Sequence, residues 1–138
     1  MLNDAMNMNF LVKKQAVVDL FQLQYTKMQN EISVLKIKCH EAASLMHKSQ
    51  HEYLLLLENV AQLQKNLGFF IDNKTYEESF ISINKKYHEY LSNKKASYEL
   101  KESLHDKMNL LVIHKRKIDH LNSIIREFQL IESYKSLD

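Results

Sequence analysis

A heptad repeat constrains the first half of this chain more than any other feature. Between Leu11 and Phe70, apolar residues recur at alternating intervals of three and four. One position of the repeat holds Leu11, Val18, Tyr25, Ile32, Cys39, Met46, Tyr53, Val60 and Leu67, and the other holds Lys14, Phe21, Met28, Leu35, Ala42, Ser49, Leu56, Leu63 and Phe70. Only Lys14 and Ser49 of these 18 positions are polar. A register kept over so many heptads predicts one long coiled-coil helix.

A helix stop followed by a helix start lies at the middle of the chain. The sequence has no proline and one glycine, Gly68, the residue that most readily ends a helix in the left-handed conformation. Thr75 and Glu78 then have the spacing of a capping box, with Glu77 and Glu78 near the positive end of the helix dipole. We therefore predict an all-α fold, a long antiparallel two-helix coiled-coil hairpin. It forms a single domain over residues 1–138, with arm one over about 4–67, a turn over 68–75 and arm two over about 76–136.

The two arms can be aligned through the turn. If the turn is centred near residues 71 and 72, facing residues have numbers that sum to 143. This register pairs Leu63 with Phe80, Leu56 with Tyr87, Tyr53 with Tyr90, Ser49 with Lys94, Leu35 with Met108, Val18 with Ile125 and Lys14 with Gln129. The apolar stripe of arm two changes phase toward the termini, where Leu121 and Phe128 continue it. Most layers of the seam, the line along which the arms pack, are apolar.

Composition and charge exclude several classes of protein. The net charge is +2, with 19 basic and 17 acidic residues interspersed, which is typical of a solvated helical surface and not of a nucleic-acid-binding face. The single cysteine, Cys39, suits a reducing compartment, and the first residues lack the pattern of a secretory signal. The longest apolar run, Tyr53 to Leu57, is too short for membrane insertion. We expect a cytoplasmic protein.

No pattern predicts catalysis, a cofactor or a metal site. His47 and His51 share one helix face, but no carboxylate completes a zinc motif, and solvated histidines are the more economical interpretation. Cys39 lies at a seam position, where a thiol is inert, and one glycine cannot build a phosphate-binding loop. We expect no catalytic, cofactor-binding or metal-binding residue, and no enzyme activity.

Two surface features suggest partners. The run from His114 to Lys117 is the densest basic stretch, and it is either a solvated face or a contact for an acidic partner. Apolar residues outside the seam cluster near the two termini: Phe10, Val12, Val17, Leu20, Leu121, Ile124, Phe128, Leu130 and Ile131. Such residues indicate a second partner for the hairpin.

The hairpin pattern, with its central turn and near-equal arms, resembles the FliJ/YscO family of stalk proteins in type III secretion and flagellar export. The local similarity lies in Asn73 to Ile81, where polar, acidic and aromatic residues begin arm two, and in the basic segment from Lys107 to Arg126. The resemblance implies a non-enzymatic coiled-coil component of the central stalk of a bacterial secretion ATPase. It also implies that this stalk links the ATPase to the export gate.

The resemblance also implies partners for each end of the hairpin. The end with both termini would enter the hexameric ATPase, and its expected contacts are Lys13, Lys14, Lys115, Arg116, Lys117 and Arg126. The turn end would contact the cytoplasmic domain of the export gate, through Tyr53, Leu57, Phe69, Tyr76, Phe80 and Tyr87. Some members of the family also bind export chaperones.

Three alternatives stay open at the level of sequence. The chain could be a structural coiled-coil scaffold that pairs with another helical protein. It could form a compact four-helix bundle, with breaks at 47–52 and 92–97. The same seam could also join two copies in a domain-swapped or antiparallel dimer.

Overall fold

The computed structural model describes residues 2–67 and 72–136. Helix α1 spans Leu2–Leu67 and helix α2 spans Asn73–Lys135, and the two pack against each other as a helical hairpin. The described part contains no strand. This confirms the all-α hairpin. The four-helix alternative is wrong, because neither helix breaks at 47–52 or at 92–97. Gly68 lies outside the described residues.

Helix α2 begins earlier than the capping box predicted. Asp72 is its N-cap, since the Asp72 Oδ1 accepts a hydrogen bond of 2.7 Å from the Thr75 amide. The Tyr76 amide donates to the Asp72 carbonyl at 3.1 Å and closes the first turn. Thr75 is therefore the third residue of the helix and not its cap. The expected turn over 68–75 is thereby shortened at its C-terminal side, and the carboxylate at the helix start is that of Asp72.

The seam of α1 lies where the heptads predicted it. The repeat positions from Leu11 to Val60 are all buried or half-buried, whereas Leu63 is exposed. Leu67 and Phe70 have no described side chain. The heptad interpretation of arm one therefore holds from Leu11 to Val60.

The seam of α2 differs from the prediction at every second position. The sum of 143 placed Phe80, Tyr87, Lys94, Lys101, Met108, Lys115, Asn122 and Gln129 in the seam, and all of them except Asn122 are exposed. The expected change of phase toward the termini is confirmed, because Leu121 and Phe128 are half-buried. Their places are taken by the preceding residues, Ser79, Lys86, Asn93, Leu100, Lys107, His114, Leu121 and Phe128, all of them half-buried. This phase covers part of Leu100 in place of Lys101 and part of Phe128 in place of Gln129. Burying a large apolar side chain is worth about 1.5–3 kcal/mol, so these positions favour the observed phase.

The pairing between the helices also differs from the prediction at several layers. The numbers of Glu52 and Lys86 sum to 138, as do those of Glu31 and Lys107, and both pairs form ion pairs, at 2.9 and 3.1 Å. The predicted sum was 143, which would have set both glutamates opposite apolar residues of α2. Other cross-helix contacts have different sums. The predicted pair Tyr53 and Tyr90 is stacked, with a sum of 143, whereas Phe10 contacts Phe128 and Phe21 contacts His114, with sums of 138 and 135. The predicted pairing is therefore kept at Tyr53 and is wrong nearer the termini.

The hairpin comprises two compact units. Unit 1 contains residues 1–34 and 105–138, and unit 2 contains residues 35–104. The core of unit 1 consists of Val18, Ile32, Ile118 and Ile125, all buried. At its seam, the His114 Nε2 donates to the Phe21 carbonyl at 2.8 Å, and the His114 ring packs edge-on against the Phe21 ring at 5.2 Å between centroids.

Unit 2 has a more polar seam. Cys39, Ser49 and Ser97 are buried. The Ser49 hydroxyl donates to the Met46 carbonyl at 2.9 Å and accepts from the Asn93 side-chain amide at 3.1 Å. We expected Ser49 to face Lys94, and its partner is the residue before it, as the corrected phase of α2 requires.

Candidate interaction surfaces

An exposed apolar patch lies on the first turns of α2, in unit 2. Tyr76, Phe80 and Ile81 are 52%, 58% and 65% exposed, and with Glu77 they line a shallow groove of about 260 Å³. Tyr76 and Phe80 are four residues apart and so share one helix face. Both lie outside the seam, because the packed residues here are Ser79 and Ile83. The groove is apolar apart from the Glu77 carboxylate at its edge.

The other residues expected at the turn end are placed differently. Tyr53 is half-buried in the seam, where its ring lies 5.3 Å from that of Tyr87 and parallel to that of Tyr90 at 6.5 Å between centroids. Tyr87 remains 39% exposed, and Leu57 is half-buried. Phe69 lies outside the described residues. Of the six expected residues, Tyr76 and Phe80 form one accessible surface, while Tyr53 holds the two helices together.

A charged cluster flanks this tyrosine cluster. The Lys86 ammonium donates to Glu52 at 2.9 Å across the hairpin and to Glu89 at 3.5 Å along α2. The hydrogen bond and the charge of Lys86 lower the pKa of Glu52, and the hydrogen bond to Glu52 raises the pKa of Lys86. Both side chains are more than a third accessible, so water screens the pair. Its contribution to stability is therefore small.

Basic side chains occupy the surface of unit 1. Lys13, Arg116, Lys117 and Arg126 are exposed, and none of them forms an ion pair within the part of the chain that the structure describes. These four side chains present positive charge to solvent from both helices. They are available to an acidic partner.

Lys14 and Lys115, expected in the same basic surface, have contacts of their own within unit 1. The Lys14 ammonium lies 5.5 Å from the centroid of the Phe10 ring. The Lys115 ammonium lies 5.8 Å from the centroid of the Tyr25 ring and 3.4 Å from the Asp119 carboxylate. Cation–π contacts of this kind hold the two lysines along the hairpin. They are therefore less available than the other four basic residues.

Sequence reasoning missed two surface features. Ile81 belongs to the apolar groove near the turn but was not selected, although it follows Phe80 directly. In unit 1, the exposed residues Leu110, Ile113 and Ile131 share a face of α2 outside the seam. Only Ile131 was noticed, because the error in the seam phase hid the spacing of the others.

The described residues hold no site for a metal ion and no membrane-spanning helix. Across residues 2–67 and 72–136, no three His, Cys, Asp or Glu side chains are placed so that they could bind a metal ion together. Neither helix, over its described length, combines the length and apolar character needed to cross a bilayer.

The chain matches no known family model, no curated protein and no solved structure.

Proposed function

We propose that this protein is a non-enzymatic central-stalk component of a bacterial type III secretion or flagellar export ATPase complex. In this role it works in the cytoplasm, links the hexameric ATPase to the cytoplasmic domain of the export gate and supports protein export. Export chaperones are further candidate partners. The proposal starts from the resemblance to the FliJ/YscO family.

One observation carries the proposal. The chain folds into two helices of 66 and 63 residues that pack as a hairpin, with five residues between them. A stalk requires a hairpin with two arms of nearly equal length, and the absence of proline leaves both arms unbroken. The described residues also present exposed surfaces for partners.

The surfaces of the two units support different partners. Lys13, Arg116, Lys117 and Arg126 of unit 1 offer unpaired positive charge, which suits the acidic wall of a ring-shaped ATPase. The groove of Tyr76, Phe80 and Ile81 in unit 2 offers an exposed apolar contact, which suits docking to the export gate. In this proposal, the basic residues bind the ATPase and the aromatic groove binds the gate.

The test is to mix the purified chain with the hexameric secretion ATPase of the same cell. We expect the two to co-elute and the rate of ATP hydrolysis to rise. The double variant Arg116→Glu/Arg126→Glu should return the rate to that of the ATPase alone, because two attractive contacts become repulsive. Lys95→Glu, an exposed charge reversal in unit 2, is the matched control and should stimulate like the wild type. Separate elution with an unchanged hydrolysis rate contradicts the proposal.

A second candidate function is a structural coiled-coil scaffold. The observation that favours it is the set of exposed apolar residues outside the seam of unit 1, including Leu23, Leu110 and Ile113. A scaffold of this kind would form a stable complex with a helical protein unrelated to any ATPase. Recovery of such a complex, with no effect on ATP hydrolysis, would favour the scaffold over the stalk.

A further inference from the structure

A second heptad stripe runs along α2 in unit 1. Its members are Leu110, Ile113, Lys117, His120, Ile124, Glu127, Ile131 and Tyr134, again spaced by three and four. The members up to Ile131 each precede a seam residue, so the stripe is rotated by about 100° around the helix from the surface that packs on α1. Leu110, Ile113, Ile131 and Tyr134 are 55%, 48%, 53% and 70% exposed. Five of the eight members are apolar, and of these only Ile124 is half-buried, so the hairpin leaves most of this face exposed.

The charges of the stripe are placed symmetrically. Lys117 and Glu127 are exposed, and neither takes part in an ion pair within the described part of the hairpin. They lie on opposite sides of the midpoint of the stripe, which falls between His120 and Ile124. If two copies of α2 lie antiparallel about that midpoint, Lys117 of each copy faces Glu127 of the other.

The same arrangement pairs the apolar residues. Ile113 faces Ile131 of the other copy, Leu110 faces Tyr134, and His120 packs beside Ile124. Each contact occurs twice, as a two-fold axis requires. Opposite charges at matched positions flanked by apolar pairs are the features that set partner and orientation in coiled coils.

We propose that this stripe is the interface of an antiparallel homodimer, in which α2 of one copy packs on α2 of a second copy.

The dimer is independent of the proposed function but has a consequence for it. Lys117 belongs both to this stripe and to the basic surface proposed for the ATPase. The dimer would cover Lys117, so self-association and binding to the ATPase through this residue exclude each other. Failure of either proposal leaves the other standing.

The test is sedimentation equilibrium of the full chain over micromolar to millimolar concentrations. We expect the wild type to form a dimer, and Lys117→Glu or Glu127→Lys to weaken it at least about tenfold, since each change replaces two attractive contacts with two repulsive ones. The double variant Lys117→Glu/Glu127→Lys should restore the wild-type affinity, because it exchanges the charges but keeps them opposite. Lys27→Glu is the matched control on the exposed face of α1 and should dimerise like the wild type. All these positions are exposed, and circular dichroism of each variant checks that it is folded.

Two results would overturn the proposal. One is a wild-type chain that stays monomeric over the whole concentration range. The other is a dimer that the single charge reversals leave unchanged, or that the double variant fails to restore, since the second copy would then bind elsewhere.

Discussion

At the scale of the residue, the buried serines of unit 2 show how polar positions are tolerated in a coiled-coil seam. Ser49 is satisfied, because its hydroxyl donates to the Met46 carbonyl and accepts from Asn93. Ser97 is equally buried, but its Oγ has no hydrogen-bond partner in the described residues. A buried polar group without a partner keeps its desolvation cost, whereas a paired one recovers it. The two serines should therefore respond in opposite ways to the same substitution.

We predict that Ser97→Ala stabilises the hairpin by about 1 kcal/mol, because the unpaired hydroxyl is removed from a site that an alanine fills. Ser49→Ala should destabilise it by about 1 kcal/mol, since the Asn93 amide loses its acceptor. The measurement is urea unfolding followed by circular dichroism. Equal losses of unfolding free energy in the two variants would show that the Ser97 hydroxyl has a hydrogen-bond partner.

At the scale of the element, the start of α2 determines which residues of the two helices meet. Asp72 and Thr75 are both good N-caps, and the sequence pattern favoured Thr75 because Glu78 completes a capping box. The structure uses Asp72, and hydrogen bonds from the Thr75 hydroxyl and from the Thr75 amide lower the pKa of the Asp72 carboxyl. A local motif could not decide between two caps three residues apart, because Asp and Thr are both favoured at the N-cap.

We predict that Asp72→Ala weakens the hairpin more than Thr75→Ala does. Asp72→Ala removes the acceptor of both Thr75 groups, whereas Thr75→Ala removes the hydroxyl and keeps the amide. The Asp72 pKa is lowered in the folded state. The contribution of the Asp72 carboxylate to the stability of the hairpin is therefore full above pH 3.8, the ordinary pKa of an aspartate. It is lost as the pH falls through the lowered pKa. Amide chemical shifts of residues 72–76 and urea unfolding at neutral pH provide the measurement. If Thr75→Ala lost more unfolding free energy than Asp72→Ala, α2 would begin at the capping box of Thr75 and Glu78 and not at Asp72.

The ion pair between Glu52 and Lys86 should stabilise the hairpin only over a limited pH range. The pKa of Glu52 is lowered, so the stabilisation is present above the ordinary value of 4.5 and is lost as the pH falls through the lowered pKa. The pKa of Lys86 is raised, so the stabilisation is also present below 10.5 and is lost as the pH rises through the raised pKa. Glu52→Gln should therefore be less stable than the wild type at pH values between the lowered pKa of Glu52 and the raised pKa of Lys86. Outside this range the two proteins should be equally stable.

The measurement for this pair is the unfolding midpoint of Glu52→Gln and wild type as a function of pH. Glu58→Gln is a suitable control, because Glu58 is exposed on the same helix and forms no ion pair within the described residues. A stability difference between Glu52→Gln and wild type that does not depend on pH would show that Glu52 acts through packing and not through charge.

At the scale of the whole molecule, the sequence was enough to predict the fold class, and the seam of α1 from Leu11 to Val60 follows the heptads. It was not enough for α2, whose apolar residues support two phases one residue apart. Phe80, Tyr87 and Met108 favour one phase, while Leu100, Leu121 and Phe128 favour the other. Choosing between the two phases requires a comparison of the total apolar surface that each would bury. That comparison needs the packed structure, because each aromatic residue can also remain on the surface.

The candidate surfaces were predicted in part for the same reason. Tyr76 and Phe80 were selected as aromatic residues near the turn, and both are exposed on one face of α2. Tyr53 was selected on the same grounds, but its ring packs within the seam. The stripe from Leu110 to Tyr134 could have been found from its spacing once the seam phase of α2 was known. Its assignment therefore depends on the structure.

The account depends on a hairpin within one chain, in the register that places Glu52 beside Lys86 and Glu31 beside Lys107. Carbodiimide joins a carboxylate to an amine in direct contact, so mass spectrometry of the crosslinked, digested protein tests this register most directly. We predict crosslinks between Glu52 and Lys86 and between Glu31 and Lys107. In a dilute mixture of ¹⁴N- and ¹⁵N-labelled chains, each crosslink should join two peptides that carry the same isotope. A crosslink from Glu31 to Lys115 would contradict the register, and crosslinks of these pairs between labelled and unlabelled chains would contradict the intramolecular hairpin.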